Sequence, residues 1–365
     1  MKIKLILQKK HQKKKSKNYF EINKKLIDYI SKGNLSNVLY SFNSTNDNGI
    51  TKIIFIFENQ IKIFNYLSEN DKDQEINIDL EEEITLVKIK PYRNIFIEMY
   101  ENIFLFCRLV NRTLLLCFEK KKYFIEWPCI ITAIEFYNHS KSVINGNVEN
   151  HINKILIGDE EGNLSIIEII TEYIDKKKEL TIKALSKSFK RNKAHYSYIN
   201  AITYYKRLNI IISSCNSGYV TINNGYSFDI LNIIKIGKHY SILDYKLSKY
   251  DLLYIYTSQK GNNEDKYELY CYTLNGIKIK KLSIEECINF YINKASIYIV
   301  YKDGNLKEYN SSNMKELKNN INIEKRNDIK LNGDAIDCFY SPKFSNSACI
   351  IFRKELKNIK IPNSN

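Results

Sequence analysis

Short runs rich in β-branched and aromatic residues alternate with polar turns along the chain. In a clear copy, the run at 154–158 is followed by the turn Glu161-Gly162-Asn163 and then by a second run at 164–170. Glycine and asparagine tolerate the positive φ that tight hairpin turns require. Each unit therefore predicts a β-hairpin, and the turns lie near positions 59, 102, 162, 218, 261, 304 and 355.

The spacing of these turns predicts how the hairpins are arranged. Three of the six intervals are 43 residues, and a period of about 40–45 residues with four short strands is typical of β-propeller blades. The longer intervals contain polar segments at 140–153 and 171–193, which we predict to be loop insertions. The sequence thus predicts an all-β fold, a seven-bladed β-propeller of four-stranded antiparallel blades. Two unrelated β-sandwiches are the alternative.

The same repeat predicts the domain organisation. Residues 1–33 are a basic N-terminal segment, and residues 34–365 are predicted to form a single propeller. The seventh unit lacks an outer strand, which would leave an unpaired edge on the last blade. The segment from Lys2 to Leu7 is the candidate to close that blade.

Composition adds a core and an excess of positive charge to this picture. The chain is 44% hydrophobic with 28 Tyr and 17 Phe, and its 56 Lys and Arg against 41 Asp and Glu give a net charge of +15. Such apolar content argues against global disorder. No apolar run approaches the roughly 18 residues of a membrane-spanning helix, and no signal peptide is evident. We therefore expect a cytoplasmic protein, with peripheral contact to endomembranes as a further expectation.

Residues that could carry catalysis or bind a metal are scattered. The five histidines are dispersed, and no HExxH, GxSxG or Walker-type loop occurs. No two of the eight cysteines lie within four positions of each other, which excludes CxxC zinc and redox motifs. We therefore predict that the protein is not an enzyme and needs no cofactor or metal. The predicted structural turn residues are Gly162, Gly218, Gly261 and Gly304.

Two basic stretches are features of the sequence that indicate a function and are not explained by the fold. One lies at 9–17, and the other lies in the second predicted insertion. Exposed lysine and arginine can bind anionic lipid or nucleic-acid phosphates. Solvated lysine, or pairing with the acidic segment 69–83, are competing explanations. The candidate residues for contact with a partner or anion are Lys176, Lys177, Lys178, Lys187, Lys190, Arg191 and Lys193.

Units three to six resemble degenerate WD repeats. The stretch 155–168 is similar to the hairpin of such a repeat, and Ala194-His195 stands where WD repeats carry Gly-His. The Trp-Asp pair is replaced, for example by Ile167-Glu168. The resemblance implies a structural, hydrogen-bonded role for His195.

A narrower resemblance covers about residues 85–310. The stretches 195–203, 210–220 and 269–279 are similar to the C-terminal propeller of BEACH-domain proteins of the neurobeachin and lysosomal-trafficking-regulator group. The BEACH domain itself is helical and rich in Trp and Pro, whereas this chain holds one Trp and four Pro. The resemblance therefore implies a BEACH domain elsewhere in the same protein or in a partner chain.

These interpretations lead to one expected function and two alternatives. The propeller is expected to be a non-catalytic scaffold for other proteins, and the resemblance implies work in vesicle or endolysosomal membrane trafficking. Partner contacts are expected in the two insertions, because loops carry variable binding surfaces. The first alternative is a basic propeller that binds RNA or phosphoinositide lipid through loop lysines. The second is a hydrolase propeller.

Overall fold

Antiparallel β-meanders follow one another along the chain. The computed structural model describes residues 28–30, 32, 40–46, 49–56, 60–65, 78–79, 96–99, 103–108, 113–118, 121–144, 148–174, 179–261, 264–293, 296–303, 305–317, 335–341, 347–352 and 356–360. The chain divides into two compact units. One comprises residues 1–84 and 286–365, and the other comprises residues 85–285.

The described strands form sheets of four or three strands that are consecutive in the chain. The first sheet contains β1 (Tyr40–Asn46), β2 (Gly49–Ile56), β3 (Gln60–Asn65) and β4 (Ile78–Asp79). The second contains β5 (Phe96–Met99), β6 (Ile103–Arg108), β7 (Thr113–Phe118) and β8 (Lys121–Glu126), and the third contains β9 (Ile131–Ile144), β10 (Val148–Asp159), β11 (Asn163–Ile174) and β12 (Glu179–Lys193).

The remaining sheets continue the same order. The fourth contains β13 (Ile199–Tyr205), β14 (Ile210–Cys215), β15 (Tyr219–Asn224) and β16 (Ile230–Lys235), and the fifth contains β17 (Tyr240–Leu247), β18 (Leu252–Gln259), β19 (Lys266–Thr273) and β20 (Lys278–Ile284). The sixth has β21 (Cys287–Asn293), β22 (Ser296–Tyr301) and β23 (Leu306–Asn310), and the seventh has β24 (Ala335–Ser341), β25 (Ser347–Phe352) and β26 (Leu356–Lys360). The predicted all-β class with four-stranded antiparallel sheets is therefore found.

Burial depends on the position of a strand within its sheet. Every residue of β14 is buried, and so is every residue of β22. Such strands are covered on both faces, which explains their nearly continuous apolar runs. The last strands β16 and β20 are mostly exposed or half-buried.

Among the described residues of 85–285, apolar side chains cluster between neighbouring sheets. One cluster joins the third and fourth sheets through residues such as Leu156, Ile202 and Phe228. Another joins the fourth and fifth sheets through residues such as Ile212 and Leu253. A further bond between these sheets runs from the Tyr245 hydroxyl to the Ile212 carbonyl at 2.6 Å.

The unit of residues 1–84 and 286–365 has its own buried apolar side chains. Ile53 and Phe55 of β2 are fully buried, and the Phe55 and Phe64 rings pack edge to face with centroids 5.9 Å apart. The Tyr29 ring lies 5.0 Å from that of Phe64. Phe290 of β21 is also fully buried.

The prediction that 140–153 and 171–193 are loop insertions is wrong. The described residues of these segments, 140–144, 148–153, 171–174 and 179–193, extend the third sheet, whose strands contain 14, 12, 12 and 15 residues, whereas the strands of the fourth and fifth sheets contain six to eight. The pairing of β9 with β10 continues to Ile144 and Val148. These segments are rich in polar residues, which led to the prediction of loops. The hydrogen bonds between strands are formed by the backbone, however, so a polar segment that also contains β-branched residues can still pair as a strand. The segment from Lys2 to Leu7 lies outside the described residues.

Candidate interaction surface

The outer strands of two neighbouring sheets carry exposed aliphatic side chains. Strand β16 is the last strand of the fourth sheet, and β20 is the last strand of the fifth. Large exposed apolar side chains that lie together are typical of a surface that binds a partner. The residues, which we call the outer-strand patch, are Ile230 (43% exposed), Leu231 (57%), Ile233 (51%), Ile277 (65%) and Ile279 (42%).

A β-bulge in β16 increases the number of its aliphatic side chains that reach solvent. Asn223 pairs with Ile230, but Ile222 pairs with Asn232, so Leu231 is an extra residue without a partner in β15. A bulge interrupts the alternation of faces along a strand. Ile230 and Leu231 are therefore both exposed although they are consecutive.

Asn232 joins β16 to the turn that precedes β20. Its Nδ2 donates to the Leu274 carbonyl at 2.8 Å, and its Oδ1 accepts from the Ile233 backbone N–H at 2.9 Å. Gly276 has a φ of +82°, and a Cβ at this position would lie 3.0 Å from Asn232 Nδ2. Glycine thus permits the close approach of the turn that precedes β20 to β16.

Lysine residues stand on the same two strands as the outer-strand patch. Lys235 and Lys278 are exposed, and Lys280 is half-buried. The Nζ of Lys278 lies 4.7 Å from the centre of the Tyr270 ring, which holds this ammonium beside β20. Asp229 is an exposed carboxylate at the start of β16. The excess of positive charge favours a negatively charged partner.

Lys281 is neutralised by a carboxylate on the neighbouring strand. Its Nζ donates to Glu268 Oε1 at 2.6 Å, and the Tyr270 hydroxyl donates to Glu268 Oε2 at 2.5 Å. Desolvation by burial acts to raise the pKa of Glu268, but the hydrogen bonds from Lys281 and Tyr270 outweigh it and lower the pKa. Glu268 therefore stays ionised, and its bond to Lys281 holds β20 against β19. Because the charge of Lys281 is compensated in this way, the positive charge available to a partner comes from the other lysines.

A second exposed group lies on the turns at one end of the fourth and fifth sheets. Asn224 Oδ1 accepts from the Tyr226 N–H at 2.8 Å and shapes its turn, and the Tyr226 ring is left 76% exposed. Tyr250 is 61% exposed, and Lys249 Nζ lies 4.7 Å from its ring centre. A salt bridge between Arg207 and Asp251 connects the turn after β13 with the turn after β17. We call these residues, with Lys206, the turn group.

His195 lies at the opposite end of the fourth sheet and is 3% exposed. Its Nε2 lies 2.9 Å from Ser213 Oγ and 3.1 Å from Thr221 Oγ1, and these two hydroxyls are 2.8 Å apart. Ser213 and Thr221 are directly paired on β14 and β15. Desolvation lowers the pKa of His195 to about 4. The ring is therefore neutral near pH 7. The hydrogen-bonded group of His195, Ser213 and Thr221 contains two hydroxyls and no carboxylate.

The basic residues predicted from the sequence do not lie in a loop where the structure describes them. Lys187, Lys190 and Arg191 belong to β12, the edge strand of the third sheet. Lys193 ends that strand and is exposed. The residues that lie outside the described part of the chain are Lys176, Lys177 and Lys178.

Two of the predicted turn glycines require a left-handed backbone. Gly162 has a φ of +88° and Gly218 a φ of +75°, and a Cβ at Gly218 would collide with the Gly237 carbonyl. Gly261 lies after β18 but does not have the positive φ that the sequence led us to expect. Gly304 lies outside the described residues.

The described part of the chain contains no cluster of three or more His, Cys, Asp or Glu side chains that could hold a metal ion. Cys129, Cys215, Cys271 and Cys287 are buried free thiols, and burial raises the pKa of Cys271. Within the same described ranges, we find no helix with the length and apolar character needed to cross a membrane.

Neither the outer-strand patch nor the turn group was singled out from the sequence. Their residues stand in runs that also predict strands and turns, so the aliphatic side chains at 230–233 gave no separate indication of a surface. A signal was present in the turns, because Tyr226 and Tyr250 occupy positions where small polar residues are usual.

Comparison with known proteins adds little to this description. No family model matches the chain, and no curated protein matches it. One solved structure to which it is similar is that of the computationally designed Ika8 protein, with a TM-score of 0.45 and 12% sequence identity over 89% of this chain and 96% of that chain. A likeness this weak supports no argument about fold or function.

Proposed function

We propose that this protein is a non-catalytic interaction scaffold built as a seven-bladed β-propeller of WD-repeat type. The proposal of a propeller is supported by the succession of antiparallel meanders, each made of consecutive strands. It is also supported by the 43-residue spacing of three turn intervals in the sequence. His195, with Ser213 and Thr221, would stabilise one blade of such a fold.

The observation that carries the scaffold function is the outer-strand patch. Its aliphatic side chains lie on or next to the outer strands β16 and β20, where they add little to the core and can be buried by a partner. Protein partners gain affinity mainly from apolar side chains that become desolvated at the centre of an interface. The patch therefore suits a protein partner better than a small polar ligand.

The cellular setting follows from the sequence resemblance alone. If the chain works as the propeller of a BEACH-type protein, its partners include a BEACH domain in the same or another chain. The expected setting is vesicle or endolysosomal trafficking, in the cytoplasm and at the periphery of endomembranes. Localisation of the tagged full-length protein, together with endolysosomal markers, tests this part of the proposal.

A crystal structure of the full chain tests the propeller. We expect seven sheets arranged radially around one axis, with the first and last sheets adjacent. Two separate sandwiches would overturn the propeller but would leave the outer-strand patch to be tested on its own.

A reconstituted complex tests the scaffold. Partners are first identified by crosslinking in cells and then purified, and their affinity for the full chain is measured by calorimetry. We expect the double substitution Ile233→Ser and Ile279→Ser to weaken binding at least tenfold. Tyr196→Ser is the matched control, because Tyr196 is 98% exposed and lies outside the patch. Equal affinities for wild type and the double variant would refute this site.

A second candidate function is the binding of RNA or phosphoinositide lipid, which the turn group favours. Tyr226 and Tyr250 offer exposed rings, Lys249 lies beside the Tyr250 ring, and Lys206 is an exposed cation on the turn after β13. Aromatic stacking beside lysine is typical of single-stranded nucleic-acid sites. Such binding should weaken steeply between low and physiological salt, whereas binding through the aliphatic patch should change little.

A further inference from the structure

We infer that the turn group binds single-stranded nucleic acid, with bases stacked on Tyr226 and Tyr250 and phosphates held by Lys206 and Lys249. The inference rests on the second candidate function and narrows its ligand from RNA or lipid to a single strand. It does not depend on the outer-strand patch. Three features support it: the connection of the turns into one surface, the exposed rings, and the projection of the third sheet beside them.

The turns of the turn group are joined into one surface. The Gly225 N–H donates to the Asn209 carbonyl at 2.8 Å, which joins the turn between β15 and β16 to the turn between β13 and β14. The salt bridge of Arg207 with Asp251 joins that same turn to the one between β17 and β18. The two exposed tyrosines therefore stand on turns that flank the turn of Arg207.

Both tyrosine rings are exposed and stand on turns that hydrogen bonds hold in place. Tyr226 is 76% exposed, and the carbonyl of the preceding residue, Gly225, accepts from the Tyr137 hydroxyl at 2.7 Å. Tyr250 is 61% exposed, and its N–H donates to Ser248 Oγ at 3.2 Å. Rings fixed in this way lose little freedom when a ligand binds. Every base has a π-face, so such rings can stack unpaired bases of any sequence.

The charges of these turns are nearly balanced. Arg207 is paired with Asp251, and Asp229 is an exposed carboxylate just before β16. Lys206 and Lys249 are exposed cations that remain for phosphate contacts. Two phosphate contacts make only a small ionic contribution to binding. The affinity for a single strand must therefore come mainly from stacking on the rings.

The third sheet projects beyond these turns. Tyr137 of β9 reaches the turn through its bond to Gly225, and β9 continues over residues 138–144 to Ile144, where it pairs with Val148 of β10. Packed sheets keep their strands within about 30° of each other, so these residues, at about 3.3 Å each, extend roughly 20 Å past the turn. A flat bilayer would meet the projection before it reached the rings, whereas a flexible strand can pass beside it.

Fluorescence anisotropy of a labelled oligo(U) of about 12 nucleotides, added to the full chain, tests the stacking. Tyr226→Leu with Tyr250→Leu should weaken binding at least tenfold, because leucine is apolar but has no π-face. The same two positions changed to Phe should bind within about twofold of the wild type, because the rings remain. Tyr196→Leu is the control, since Tyr196 is 98% exposed and lies next to His195 at the opposite end of the fourth sheet. Equal binding by the Leu and Phe variants would overturn the inference.

The salt dependence tests the phosphate contacts. With Lys206 and Lys249 as the contacts, the logarithm of the affinity should fall against that of the salt concentration with a slope of about −1.4. Binding should then weaken about sevenfold between about 50 and 200 mM salt. Lys206→Gln with Lys249→Gln should bring the slope close to zero, and Lys260→Gln, at an exposed lysine after β18, should leave it unchanged. A slope that the double variant does not alter would place the phosphates elsewhere and refute the site.

Further probes separate the possible ligands. Oligo(dT) of the same length should bind like oligo(U), because stacking does not need the 2′-hydroxyl. The duplex of oligo(U) with oligo(A) should bind at least tenfold more weakly, because its bases are already stacked on one another; equal binding of duplex and single strand would overturn the inference. Phosphatidylcholine vesicles with about one tenth phosphoinositide are the lipid probe. If the vesicles bind and the single strands do not, the inference is refuted and the second candidate function stands; if neither binds, both are refuted.

Discussion

Acidification should destabilise the fold through His195. The ring is buried against Ser213 and Thr221, and desolvation lowers its pKa from 6.5 to about 4. The unfolded chain therefore binds a proton on this histidine at a higher pH than the folded protein does. The stability that the neutral ring provides is complete above about pH 6.5 and is lost as the pH falls toward 4.

The size of the effect can be worked out from the two pKa values. At pH 5 the unfolded histidine is mostly protonated and the folded one mostly neutral, which gives a loss of about 2 kcal/mol relative to pH 7.5. A pKa difference carries about 1.4 kcal/mol for each factor of ten in proton affinity. The loss therefore approaches about 3 kcal/mol near pH 4.

Urea unfolding at a series of pH values measures this loss. Trp127 is the only tryptophan and is 6% exposed, so its fluorescence reports unfolding of residues 85–285. The comparison is with His195→Gln, which keeps a polar side chain but cannot be protonated. The wild type should lose about 2 kcal/mol relative to this variant between pH 7.5 and pH 5.

The control replaces His239, an exposed histidine on the connection before β17, with Gln. This variant should follow the wild type at every pH. Parallel stability curves for wild type and His195→Gln would refute the reasoning, because they would mean that the buried ring does not resist protonation.

Three other substitutions have expected outcomes. Gly218→Val should lower the free energy of unfolding by about 2–3 kcal/mol, since its φ of +75° strains a β-branched residue. Lys281→Met should cost about 1–2 kcal/mol, because it leaves the buried carboxylate of Glu268 without its ammonium. Burial raises the pKa of Glu135 to about 8, so Glu135→Gln should gain stability relative to wild type as the pH rises from about 4.5 to 8, opposite in sign to His195→Gln. Urea unfolding measures all three.

Each of these substitutions has a matched control or a result that would contradict it. Asn216→Val, at an exposed position of the same turn as Gly218, should cost far less. The loss in Lys281→Met should shrink in acid as Glu268 becomes protonated, and a loss independent of pH would contradict the ion pair. A constant difference between Glu135→Gln and wild type would show that this carboxylate is not buried in the folded protein.

The strands were predictable because their physical requirements are local. The run at 199–205 is rich in Ile, Thr and Tyr, residue types that favour strands, and it forms β13. Gly162 and Gly218 stand where turns need φ > 0, and no other residue type meets that need as easily. The pattern of apolar residues and the residue types in the turns are therefore sufficient to predict most of the secondary structure.

The extensions of the third sheet were not predictable in the same way. Residues such as His139, Ser140 and Asn150 are typical of loops, and nothing in a local window shows that a facing strand is available to pair with them. Pairing is a property of two segments, and here β9 and β10 continue in register through His151 and Lys141.

Surface chemistry was the least predictable part. The lysines and Arg191 at 187–193 were predicted to lie in a loop but lie on a strand, whereas Ile230 and Ile277 are exposed and were not singled out from the sequence. The difference depends on the bulge at Leu231 and on the order of strands in the sheet. Both are set by packing between sheets, which a pattern along one segment does not contain.

The outer-strand patch is separable from folding, and this is the strongest reason to regard it as a binding surface. Ile234 is 2% exposed, and Ile234→Ala should cost about 2–5 kcal/mol because it leaves a cavity. Its neighbour Ile233 is 51% exposed, so Ile233→Ser should stay within about 0.5 kcal/mol of the wild type. Thermal and urea unfolding of the two variants provide the comparison. If Ile233→Ser were as damaging as Ile234→Ala, the side chain would belong to the core, and the apolar surface of β16 would need no partner.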